Sequence, residues 1–192
     1  MAAGEGRRLR PLTDLWPKPV LPIDGRPLVV TLVHALAEAG CERLVVVTGH
    51  LAEQVEALVA PLPYDTRFVR QPPGRGSADA VLRARATPPY LVTAADTLYA
   101  DGDLERFARA AMGCDGAVAM HGEVQAPLWF LGERVARFLD PLPGNPPYEL
   151  QHVFRDAIAD GAQVSAIQVG ATRGLTSPVD LVLENFPYLR QP

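Results

Sequence analysis

Lysine is almost missing from this chain: of its 18 basic residues, 17 are arginines and the one lysine is Lys18. Runs of one charge are also missing, and the net charge is only −4. That removes the electrostatic case for DNA, RNA or an anionic lipid surface as the main partner. No apolar run approaches the ~20 residues of a membrane span. The opening Met1-Ala2-Ala3-Gly4-Glu5-Gly6 lacks the charged-then-apolar order of a signal peptide, so a cytoplasmic location is expected. Two cysteines, Cys41 and Cys114, stand far apart without CxxC spacing, which excludes a disulfide framework and a zinc ribbon and leaves reduced thiols. His34, His50, His121 and His152 show no metal-ligand spacing, and Trp16 and Trp129 form no stacking pattern for bases.

What is present fits one globular unit, expected over residues 1–192, with 48% hydrophobic and 21% charged residues. Apolar residues at Leu28, Val29, Leu32, Val33, Leu36 and Ala37 predict a helix over 27–39, closed by Gly40. The β-branched run 44–48 predicts a buried strand, and 51–60 a helix stopped by Pro61. Strands at 67–69 and 90–93 then alternate with helices at 77–86 and 103–111. Such alternation predicts βαβ units and an α/β fold: a three-layer αβα, Rossmann-like, mostly parallel sheet with its ligand beyond the carboxyl ends of the strands. The second half is less regular. It reads as strands at 116–120 and 128–131, a short helix at 133–139, a rigid Pro-rich loop at 140–147, a helix at 149–160, a strand at 164–169 and a last helix opened by Ser177-Pro178.

The loop Ala3-Gly4-Glu5-Gly6-Arg7-Arg8-Leu9 can turn backbone N–H groups toward an anion, with arginines adding charge. It is neither a dinucleotide fingerprint, because Leu9 stands where a third glycine belongs, nor a P-loop, because Gly-Lys-Ser/Thr is absent. Alone it fits a surface turn as well as a polyphosphate cradle. The lone Lys18, flanked by Pro17 and Pro19, adds a second candidate: an ammonium meets a phosphate oxygen as a compact point charge, which a planar guanidinium does not.

Taken together, Ala2-Ala3-Gly4-Glu5-Gly6-Arg7-Arg8-Leu9-Arg10-Pro11-Leu12-Thr13 and Pro17-Lys18-Pro19-Val20-Leu21-Pro22-Ile23-Asp24-Gly25-Arg26-Pro27-Leu28 resemble the signature AAGxGTRLxPLT…PKxLxPVxGxPL of the sugar-phosphate nucleotidyltransferase family, with Arg7 in the usual Thr place. Gln71…Gly76-Ser77 is similar to that family's base-reading Gln…Gly-Thr, and Ala95-Asp96 to its Gly-Asp metal site. The resemblance implies a nucleotide-diphospho-sugar transferase type of fold. It also implies transfer of a nucleoside monophosphate from an NTP, UTP or dTTP favoured, to a sugar-1-phosphate. By the same resemblance Arg8 serves the leaving pyrophosphate, Lys18 the reacting phosphates, and Asp96 a Mg²⁺ ion. Ala2, Ala3, Gly4, Gly6, Gln71, Gly76 and Ser77 form the nucleotide site. The expected partners are the NTP and a phosphorylated small-molecule acceptor, with no nucleic acid and no membrane; homo-oligomerisation stays open.

Three departures qualify that expectation. Family members run a hydrophobic strand into AAGxG, whereas here Ala2 follows Met1 directly, so several apolar residues upstream are expected. Gly174 stands where the family places a second metal-binding Asp, so that Gly174→Asp is expected to strengthen Mg²⁺ binding. Only residues 122–126 separate the strand at 116 from Leu128, leaving no room for the family's Glu-Lys-Pro sugar segment. Two alternatives follow: a catalytically weak nucleotide-binding regulatory paralogue, and a cytidylyl- or guanylyltransferase acting on a phospho-alcohol or the molybdenum cofactor.

Overall fold

The computed structural model describes residues 1–189. The alternating pattern of the first half becomes real elements. A two-residue pair, β1 (Pro22–Ile23) and β2 (Arg26–Pro27), leads into α2 (Leu28–Glu38), preceded in the chain by a single helical turn, α1 (Leu12–Leu15). Leu28, Val29, Leu32 and Val33 form the buried stripe of α2, and Gly40, at φ +89°, turns the chain away from it. Then come β3 (Arg43–Thr48), α3 (Ala52–Val59), β4 (Asp65–Arg70), α4 (Ser77–Ala84), β5 (Tyr90–Thr93), the short β6 (Thr97–Leu98) and α5 (Asp103–Ala111). β3 and β4 pair in parallel and are joined by a crossover through α3.

In the second half β7 (Gly116–His121) and β8 (Val124–Leu131) form a hairpin. Its two-residue turn contains Gly122 at φ +60°, the left-handed conformation that tight hairpins need. β8 inserts between β5 and β7, antiparallel to both, and β9 (Val164–Gln168) pairs in parallel with β7, so the sheet order is β5-β8-β7-β9. The hairpin thus adds antiparallel pairing to a parallel frame. α6 (Glu133–Ala136), α7 (Leu150–Ala159), β10 (Arg173–Gly174) and α8 (Pro178–Asn185) complete the described chain. The helix expected over 133–139 divides into α6 and a 3-10 turn over Arg137–Leu139. No helix among the described residues is long and apolar enough to cross a membrane.

Among the described residues, backbone hydrogen bonds link the β3–β4 pair to the four-stranded sheet at their carboxyl ends, through the first two residues. Ala2 N donates to Val47 O at 2.7 Å, the Met1 ammonium to Thr93 O at 2.7 Å, and Ala95 N to Met1 O at 2.8 Å. Behind Met1 a cavity of about 920 Å³ separates β3 from β5. Its walls include Leu32 and Val33 of α2, Val45 and Val46 of β3, and Leu91 and Val92 of β5. Met1 is half-buried in this slot, and burial of its ammonium pulls that group down to about 6 although the Asp96 charge opposes the shift.

Candidate active site

At the carboxyl ends of β3, β4 and β5 lies a cleft of about 700 Å³, lined by residues from every segment singled out in the sequence. The glycine-arginine loop forms one wall. Gly6 adopts φ +63°, and a Cβ there would lie 2.9 Å from Thr13 Cγ2, so the turn needs glycine twice over. Thr13 Oγ1 donates back to Gly6 O at 2.9 Å, and His50 Nε2 bonds Thr13 O at 2.6 Å, tying the loop to the end of β3. Gly49 lets Ala3 pass against it, since a Cβ there would sit 2.7 Å from Ala3 O. Of the loop's arginines, Arg7 bonds Glu5 at 2.8 Å and Arg10 pairs with Asp14 at 3.1 Å. Arg8 faces the cleft with no carboxylate among the described residues.

Lys18 begins a 3-10 turn, Lys18–Val20, whose start Pro17 holds in extended backbone. Its Nζ meets Asp96 Oδ2 at 2.6 Å across 78 residues of sequence, and both side chains are partly buried. Asp96 lies three residues past the end of β5, at the strand end where such sheets place their ligands. Its other oxygen, Oδ1, accepts from Thr97 Oγ1 at 3.3 Å. The described residues contain no group of three or more His, Cys, Asp or Glu that could cage a metal ion. The carboxylate chemistry therefore fits a hard cation that takes one oxygen from the protein and the rest from phosphate and water.

Gly174 is brought beside Asp96, as the family resemblance implies, because β10 pairs with β6 in the register Gly174↔Thr97. A Cβ on Gly174 would lie 2.9 Å from the Asp96 carbonyl oxygen, a backbone atom that cannot swing aside. Gly174→Asp is therefore expected to destabilise the chain by about 1–3 kcal/mol, the cost of forcing extra atoms into a packed site. Chemical denaturation checks this; an unchanged midpoint would mean that β10 and β6 part freely. This displaces the simpler expectation of a gain in metal affinity.

The opposite wall is built by residues 71–77 and 147–149. Gly76, at φ +88°, presses on the Tyr148 backbone so closely that any Cβ would collide with it. Gln71, at the end of β4, donates through Nε2 to Gly76 O at 2.8 Å and to Asp79 Oδ2 at 3.0 Å. Asp79 is 3% exposed. Burial opposes its charge, yet hydrogen bonds from Arg83, Gln71 and Arg75 hold its carboxyl below the usual carboxylate range. Ser77 Oγ donates to Glu149 Oε2 at 2.6 Å and accepts from Leu150 N at 2.8 Å. Asp79 and Glu149 were not singled out in the sequence. Asp79 stands i,i+4 from Arg75 and Arg83, a pattern that usually marks a solvated helix face, and Glu149 reads only as a residue opening a helix.

The structure thus brings Ala2, Ala3, Gly4, Gly6, Arg8, Lys18, Gln71, Gly76, Ser77 and Asp96 to one cleft. The sequence pattern of the MobA-like NTP transferase domain matches residues 1–180. The chain belongs to that family. It is 50% identical over 54 residues to a 2-aminoethylphosphonate cytidylyltransferase of Lancefieldella rimae, covering 28% of this chain and 22% of that protein. It is 37% identical over 105 residues to an N-acetylmuramate alpha-1-phosphate uridylyltransferase of Neisseria meningitidis, covering 51% of this chain and 46% of that one. The chain therefore spans less than half the length of these relatives. Among solved structures, a UDP-glucose pyrophosphorylase complexed with UDP-glucose superposes with a TM-score of 0.80 at 19% identity, covering 100% of this chain and 97% of that one. The inositol-1-phosphate CTP transferase from T. maritima superposes with a TM-score of 0.79 at 18% identity, covering 100% and 95%. These likenesses establish the nucleotide-diphospho-sugar transferase type of fold.

Proposed function

We propose that residues 1–192 work as one nucleotidyltransferase unit. It moves a nucleoside monophosphate from an NTP to a phosphorylated small molecule, a sugar-1-phosphate first among them. The observation that carries this reading is the Lys18–Asp96 pair at 2.6 Å in a cleft that also holds Arg8, which has no carboxylate partner among the described residues. An oxygen of the acceptor phosphate attacks the α-phosphorus, the bond to the bridging oxygen breaks, and pyrophosphate leaves with both electrons of that bond. In-line displacement at phosphorus asks the protein for positioning and charge rather than for a covalent nucleophile. Lys18 neutralises charge at the reacting phosphate and Arg8 holds the pyrophosphate. Mg²⁺, when bound, spreads the charge of the phosphate oxygens, and Asp96 is the residue that would hold it.

The names of the relatives support nucleotidyl transfer to a phosphorylated acceptor and divide over the base, uridylyl in one and cytidylyl in another. The two-residue turn between β7 and β8 favours a second reading of the acceptor. A chain without a longer sugar-binding segment there suits a compact phospho-alcohol or phosphonate. Pyrophosphate release from each of five NTPs, paired with glucose-1-phosphate, phosphocholine and 2-aminoethylphosphonate and supplied with Mg²⁺, tests both readings. Release dependent on one acceptor is expected. No release in any pairing would leave the nucleotide-binding regulatory reading in its place.

A further inference from the structure

Residues 3–13 form a loop whose two ends are held by one residue, His50, two positions past β3. Its backbone N–H donates to Ala3 O at 3.4 Å, where the loop begins, and its ring Nε2 lies 2.6 Å from Thr13 O, where the loop ends. A backbone carbonyl can only accept, so Nε2 carries the hydrogen and donates it, in the neutral ring and the protonated one alike. Thr13 passes the constraint on. It is 1% exposed, and its Oγ1 donates to Gly6 O at 2.9 Å. A Cβ on Gly6 would come within 2.9 Å of Thr13 Cγ2 and 3.4 Å of Lys18 Cβ, so the Gly6 turn, Thr13 and the stem of Lys18 pack against one another. His50 anchors that packing to the end of β3.

In the chain, α1 lies between Arg8 and Lys18. A helix of one turn has almost no stability of its own and leaves its last carbonyls in need of donors. Leu12 O accepts from Trp16 N, but the donors to Thr13 O and Leu15 O come from another element. They are His50 Nε2 and, at 2.8 Å, Nε2 of Gln54 in the first turn of α3. Two side chains of the β3–α3 corner therefore set the course of α1, and with it the placement of Arg8 relative to Lys18. We propose that His50, seconded by Gln54, is a positioning residue for nucleotidyl transfer, holding the glycine-arginine loop in register with Lys18 through Thr13. It touches no substrate. The proposal rests on the nucleotidyltransferase reading above, in which Arg8 and Lys18 must meet the leaving and the reacting phosphates together. In-line displacement is sensitive to such placement: a shift of about 1 Å imposed from outside the reacting centre can lower the rate on the order of a hundredfold.

His50→Phe and His50→Gln separate the hydrogen bond from the bulk of the ring. Phenylalanine keeps a planar ring without a donor, whereas glutamine carries its amide nitrogen the same number of bonds from Cβ as imidazole Nε2 and keeps the donor. Both leave the backbone bond to Ala3 in place. Hydrogen exchange over residues 4–13, followed by mass spectrometry, reads the loop without any turnover. Exchange there should be at least about threefold faster in His50→Phe than in the parent and within about twofold of it in His50→Gln. Equal protection in His50→Phe and the parent overturns the clamp. Turnover, with the NTP and acceptor that release pyrophosphate, tests what the clamp serves. In His50→Phe kcat should fall by at least about tenfold and KM for the NTP change by less than about threefold, and His50→Gln should recover most of kcat. A lower melting temperature in His50→Phe with parental kcat makes the residue structural only and overturns the proposal, as does an equal loss of kcat in both variants. Should His50→Phe fail to fold, Gln54→Ala takes its place with an expected loss of about threefold in kcat, and an unchanged kcat there overturns the proposal. A parent that releases no pyrophosphate in any pairing overturns the transferase reading and this role with it, while a parent that turns over beside an equally active His50→Phe overturns this proposal alone.

Discussion

Lys18→Ala is expected to lower turnover by more than about tenfold with little loss of stability, because charge at a transition-state phosphate commonly accounts for a few kcal/mol. The two effects separate because of where the pair sits. Lys18 and Asp96 are 20% and 33% exposed as side chains, so their ion pair is screened by solvent and contributes at most about 1 kcal/mol to folding. The Pro17 and Pro19 that shape the turn are untouched by the substitution, so the backbone of this segment keeps its course. Lys18→Arg is the finer comparison. A guanidinium restores the charge, yet it is planar and longer, and it cannot take the ammonium's place at 2.6 Å from Asp96 without moving that carboxylate. Partial recovery at best is expected, read as kcat with the melting temperature alongside. Parental activity in Lys18→Ala would remove Lys18 from the chemistry and with it the central assignment of the cleft.

How far the cleft was legible in the sequence depended on the range of the contacts that build it. The helix over 27–39 and the strand over 44–48 appear within a residue or two as α2 and β3, because a buried stripe and a β-branched run are local patterns. The glycine-arginine loop, Lys18 and Asp96 were found because each sits in a short motif. What no local pattern carries is the company each side chain keeps. The 2.6 Å contact between Lys18 and Asp96 spans 78 residues. Arg75, Asp79 and Arg83 have the spacing of surface pairs, and only tertiary packing turns Asp79 inward to orient Gln71. The Gly174↔Thr97 pairing is two residues long, too short to leave a periodic trace, yet it decides what position 174 tolerates. Charge and hydrogen-bond direction in the cleft are therefore properties of the fold, while the identity of the residues that line it on the side of the glycine-arginine loop is already in the sequence.

The slot between β3 and β5 leads to the second large expected effect: joining five or six apolar β-formers ahead of Met1 should stabilise the chain by about 3 kcal/mol or more. The geometry gives the direction and the pairing. Ala2 already bonds β3, and Met1 already bonds the end of β5, so a strand continuing backwards from Met1 would run parallel to β3 with a ladder on each side. Both of its faces would meet apolar side chains, Leu32 and Val33 of α2 on one and Val81 and Ala84 of α4 on the other, among the residues lining the 920 Å³ cavity. A strand buried on both faces wants a continuous Val, Ile and Leu run rather than alternation. Each such side chain gains about 1.5–3 kcal/mol on full burial, against about 1–2 kcal/mol for ordering its backbone, so the net rise is modest per residue and large in sum. For a chain of this size it corresponds to a melting temperature higher by roughly 6–12 °C. A pH scan supplies an independent readout. The Met1 amine is held at about 6 in the fold against 8.0 when free, so its neutral form suits the folded state. Stability is then full above pH 8 and falls as the pH drops through about 6, by roughly 2–3 kcal/mol at most. Turning that amine into a peptide bond removes the titrating group, and the extended chain should lose this slope between pH 8 and 6. A Gly/Ser extension of equal length would abolish the slope without raising the melting temperature. If the apolar extension did no better than the Gly/Ser one, the slot would not be an acceptor for a strand.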